Sequence, residues 1–70
     1  MKYSIEITSV SDRDNVVAEV WYGEDLIAEI NQEAPELAVQ LFPSKEPLEL
    51  NTLLDMLKQA ANRLRNDSVV

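Results

Sequence analysis

Apolar and polar residues alternate over the first two-thirds of the chain, a helical period follows over the last third, and together they predict an α+β fold. The expected architecture is a four-stranded antiparallel β-meander followed by one C-terminal amphipathic helix packed on one sheet face, in the order β-β-β-β-α. The chain's punctuation agrees. Its one Gly, at 23, and its three Pro, at 35, 43 and 47, all fall between the periodic runs.

The first strand is read from Tyr3, Ile5 and Ile7, which alternate with Ser4, Glu6 and Thr8. The polar stretch from Ser9 to Asn15 breaks that pattern. A second strand, Val16 to Tyr22, is rich in the β-branched and aromatic residues that fit a pleated, half-buried surface. Gly23-Glu24-Asp25 then marks a tight hairpin, because Gly takes a positive φ at little cost. Leu26 to Asn31 forms the third strand and the loop Gln32 to Glu36 holds Pro35. The fourth strand, Leu37 to Phe42, is stopped by Pro43, which has no N–H to give to a ladder. Beyond Pro47, Leu50, Leu53, Leu54, Leu57, Ala61 and Leu64 recur at the spacing of one helix stripe. Asn51 is the expected N-cap, and Asp55 early with Arg63 and Arg65 late suits the helix dipole. Residues 1–66 form a single domain on this reading, and 67–70 a frayed tail. That tail, Asp67-Ser68-Val69-Val70, shares the Ser and terminal Val of some C-terminal peptide ligands, a two-position match that arises often by chance.

The parity of the hairpin decides which side chains share a face. A three-residue turn sets Val16, Ala18, Val20 and Tyr22 with Leu26, Ala28 and Ile30. A two-residue turn would put Val17, Glu19 and Trp21 there instead and bury a carboxylate. The first arrangement is expected, with Tyr3, Ile5, Ile7, Leu37, Val39 and Leu41 completing the layer under the helix. The opposite face then carries Trp21, Val17, Ile27 and Phe42 as an apolar patch, ringed by Glu6, Glu19 and Glu29. An open patch of that kind marks a contact surface, and Trp is the residue type most enriched among interface anchors. These seven residues are the candidate partner-binding set.

Composition narrows the chemistry. The 70 residues include 13 Asp and Glu against 6 Lys and Arg, for a net charge of −7, with neither Cys nor His. Disulfide scaffolds, Cys- or His-ligated zinc and Cys–His nucleophiles are excluded. One Gly cannot build a phosphate-cradling loop, and no nucleophile motif is present, so no catalytic residue, metal or cofactor is assigned. Glu6, Glu19 and Glu29 could hold a hard cation only by converging; ordinary solvent-facing carboxylates explain them better. The acidic excess opposes direct binding of nucleic acid or of an anionic membrane, and it favours a protein partner with a basic patch. Residues 1–49 carry 11 of the acids, so the field belongs to the strands and their loops. A core this small also gains from association, including homodimer formation.

The expectation is therefore a small, acidic, non-enzymatic protein-binding module of the inhibitor or antidote type, acting through its open sheet face. A structural or regulatory homodimer is the alternative, and a divalent-metal-binding domain a third possibility. With no signal-like N-terminus and no run near the ~20 apolar residues of a membrane span, the cytoplasm is the expected compartment.

Overall fold

Four strands, β1 (Tyr3–Thr8), β2 (Val17–Tyr22), β3 (Asp25–Asn31) and β4 (Ala38–Leu41), pair antiparallel in chain order, and a helix, α1 (Leu50–Ser68), packs on one face. The predicted α+β meander with its C-terminal helix is thus the fold. The computed structural model describes residues 2–68; Val69 and Val70, the end of the stretch expected to fray, lie outside the described residues.

The hairpin between β2 and β3 reaches the expected faces by a different route. Tyr22 pairs with Asp25 and Trp21 with Leu26, so the turn has two residues, Gly23 and Glu24. Gly23 has φ 63°, and no other described residue has a positive φ, which is the pattern of a type II′ turn. Left alone, that turn would put Glu19 under the helix. A β-bulge intervenes: Val20 pairs with Ala28, leaving Ile27 as the extra residue of β3. Beyond it Ala18 faces Ile30 and Glu19 faces Glu29, as a three-residue turn would have arranged. The correction is local. Ile27, expected on the open face, is 2% exposed and belongs to the core, while Leu26, expected in the core, lies opposite Trp21.

The core joins Ala18, Val20, Ile27, Ala28 and Ile30 of the sheet to Ala60 and Leu64 of the helix. Ala18 and Ala28 on the floor and Ala60 above it are fully buried, and three small side chains let helix and sheet approach closely. Leu53, Met56, Leu57 and Ala61 pack around this centre, so the buried stripe is rotated from the predicted one. Leu50 and Leu54, counted in that stripe, are exposed on its flank.

The helix is capped two residues earlier than Asn51 suggests. Glu49 is the N-cap: its carbonyl accepts the N–H of Leu53, and its carboxylate accepts the N–H groups of Asn51 and Thr52, each at 3.1 Å, and the Thr52 hydroxyl. The Thr52 hydroxyl, then the N–H groups, hold the Glu49 carboxyl below its ordinary pKa. Leu48 and Leu53 occupy the staple positions on either side of this cap and both pack on the core.

Side-chain contacts on its two flanks place the helix over the sheet. Burial, then the charges of Tyr22 and Glu49, raise the Tyr3 hydroxyl pKa. In the last third of the helix, Arg63 donates to the carbonyl of Ile5 on β1 at 3.2 Å. Arg65, on the other side of the helix, lines a recess with Pro35, Glu36 and Leu37, just before β4. The helix therefore rests on β1, β2 and β3 and does not reach β4.

Candidate functional site

The sheet face away from the helix was expected to be open, and it is largely closed. Arg13, in the loop between β1 and β2, reaches across it. Its Nη2 and Nε donate to Glu29 Oε1 at 2.9 and 3.2 Å, and Nη2 also donates to Gln40 Oε1 at 3.2 Å. The end of the same loop is fixed by Glu33, whose Oε1 accepts the Asp14 N–H at 2.8 Å. Its Oε2 accepts the Asn15 N–H and side-chain amide, both at 3.2 Å. The Asp14 N–H contributes most to holding the Glu33 carboxyl below its ordinary pKa. Polar contacts thus drape an otherwise featureless loop over the sheet.

This closure changes the standing of the seven candidate residues. Val17 is fully buried yet lies outside the helix-side core, because its side chain faces the draped loop. Ile27 is in the core, and Glu29 is 8% exposed beneath Arg13. Those three are consumed inside the chain and are corrected as contact residues. Trp21 is half-buried, its indole Nε1 donating to Glu19 Oε1 at 3.3 Å, and Phe42 is half-buried as well. Of the set, Glu6 alone is exposed. Glu6, Glu19 and Glu29 do occupy one row across β1, β2 and β3, continued by Gln40 on β4. Among the described residues, however, no three acidic side chains come together as a metal site.

The apolar surface is on the other side of the sheet. Among the described residues, the exposed large apolar side chains are Val39 (52%), Leu41 (62%), Leu50 (65%) and Leu54 (54%). Val39 pairs with Ile30 and Leu41 with Ala28, so both project to the helix side, where the helix, resting on β1, β2 and β3, leaves them bare. Leu50 and Leu54 lie on the same helix flank as Arg65, at positions i, i+4 and i+15, and that flank is turned towards β4. These two exposed pairs, on β4 and on the helix flank turned towards it, mark the β4–helix cleft, across which the two elements do not touch. The sequence carried the signal, since Leu50 and Leu54 made its stripe wider than one sheet contact requires. That width reads as core because nothing local says which flank a sheet will cover.

At the cleft's far end the recess beside Arg65 measures about 540 Å³ and is open to solvent. It brings together one guanidinium and one carboxylate, with no nucleophile and no base within a hydrogen-bonded relay. No protein-family model, curated protein or solved structure matches the chain, so the functional reading rests on the residues themselves. No helix among the described residues is long and apolar enough to cross a membrane.

Proposed function

We propose that the protein is a small, acidic, non-enzymatic module that acts by binding protein, and that its contact surface is the β4–helix cleft. The observation that carries this reading is the gathering of Val39, Leu41, Leu50 and Leu54, each more than half exposed, on one side of a small sheet. Exposed apolar groups scattered singly need no explanation; four on neighbouring elements do. The net charge of −7 supports a partner with a basic patch, drawn in by long-range attraction and retained by apolar contact. That combination suits an inhibitor or antidote, of the kind formed by immunity proteins, antitoxins or phage-encoded antagonists of a host enzyme, working in the cytoplasm. Trp21 and Glu19 lie on the opposite face and are secondary contacts at most in this scheme.

Side-by-side affinity capture with the wild-type chain, Leu41→Lys and Trp21→Ala tests it. The expected result is a partner retained by wild type and Trp21→Ala and lost with Leu41→Lys. Loss with Trp21→Ala alone would return the contact surface to the other face. Equal retention by all three would reject both surfaces.

A further inference from the structure

Resting on the reading of the cleft as a protein-contact surface, we infer that its occupant is a second copy of this chain, joined edge to edge through β4. The strand is bonded only to β3, so its other edge presents free backbone donors and acceptors. Natural edge strands are usually protected by charge, proline or a bulge. Residues 37–42, Leu-Ala-Val-Gln-Leu-Phe, contain none of these, although the chain around them carries one acid or base in every three or four residues. The opposite edge, β1, is protected in the ordinary way: Glu6 stands exposed in its middle.

Charge selects the second copy and also selects the edge. Two copies meeting at β1 would bring their Glu6 side chains to neighbouring strands, where like charges repel. Meeting at β4, they put Gln40 at the seam of the acidic row. The nearest carboxylates in that row, Glu29 of each copy, are then three strand spacings apart, roughly 14 Å. That exceeds the screening length of about 8 Å at physiological salt, and Arg13 already pairs with each Glu29. Residues 37–42 are themselves uncharged, so the strip matches the equally neutral strip of a second copy.

Symmetry makes the arrangement definite. Two antiparallel strands related by a two-fold axis within one sheet require the axis to stand perpendicular to that sheet. Both helices therefore lie on the same side of a continuous eight-stranded sheet. Val39 and Leu41 of each copy form a shared floor between them, with Leu50 and Leu54 as walls.

The test is light scattering and sedimentation of the full chain from low micromolar to submillimolar concentration. Wild type and Trp21→Ala are expected at twice the chain mass of 7.9 kDa at the upper end. Leu41→Lys on the strand and Leu54→Glu on the helix are expected to stay at the single-chain mass, with unchanged far-UV circular dichroism. The chain has no Cys, so Val39→Cys and Gln40→Cys, both beside the axis, are expected to give a covalent dimer on mild oxidation, and Trp21→Cys is not. A dimer that persists in both Leu41→Lys and Leu54→Glu, or cross-links only at Trp21→Cys, would overturn the interface. A wild-type chain that stays single throughout would overturn self-association while leaving the wider binding reading to the capture experiment, which Leu41→Lys decides independently.

Discussion

The two faces of this sheet exchange the roles that their residues suggest. The outer face, with Trp21, Val17 and three carboxylates, reads as open and is closed by a loop with hardly any apolar content. The helix side reads as closed and is left bare along β4. Cover is decided by where the covering segment is tied. Arg13 and Glu33 hold the loop inward through contacts 16 or more residues distant in sequence, whereas Arg63 ties the helix to β1, on the side away from β4. A few polar contacts therefore outrank hydrophobic pattern in choosing which apolar side chains meet water.

The sharpest way to break the comparison is to remove the helix side's own anchor. Leu64→Ala takes a fully buried side chain out of the centre of the helix–sheet contact, and a loss of about 2–5 kcal/mol is expected in urea unfolding. Next is the clasp of the outer face. Arg13→Ala strands the buried Glu29 carboxylate and is expected to cost about 1–3 kcal/mol, with much of it restored by adding Glu29→Gln. If Arg13→Ala proved neutral, the loop would not be what closes that face.

Acid should loosen both covers together. Glu33 ties down the loop and Glu49 starts the helix, and both carboxyls have folded pKa values below the ordinary 4.5. Their contribution is present above the unfolded value and is lost as pH falls through the folded values. The urea midpoint is expected to drop below about pH 4.5, and the drop should be shallower in Glu33→Gln and Glu49→Gln. The smallest effect is expected at the bare strand. In dilute solution Leu41→Lys should shift stability by no more than about 0.5 kcal/mol, since the side chain already faces water. A large loss there would mean that Leu41 is part of the fold.

Much of the architecture was legible from residue order alone. Tyr3, Ile5 and Ile7 alternate because β1 buries one face, and Leu53, Leu57 and Leu64 recur because α1 buries one stripe; both are local consequences of backbone period. The contact surface was not legible in the same way. Val17 looked available because its cover comes from Arg13's loop, tied to Glu29 and Gln40 by bonds that no short window contains. Glu49 does not stand out in the sequence as an N-cap because its longer side chain is an uncommon choice there, and Asn51 two residues on has the commoner chemistry. Ile27 could not be assigned from alternation, since a bulge is invisible until the partner strand is in place.

That bulge makes the faces of the sheet an arithmetic property of the hairpin. One residue is added in the strand at Ile27, and the same residue added in the turn would leave every side chain beyond it on its present face. The extra residue is taken up in the strand, so without it the pairs on either side would stand in the register of a plain two-residue hairpin. Deleting Ile27 would leave Trp21 opposite Leu26 and Val20 opposite Ala28 as adjacent pairs, so every other side chain would keep its face and the cost would be the lost core contact of Ile27. The bulge thus absorbs a residue of length without passing it on to the rest of the sheet.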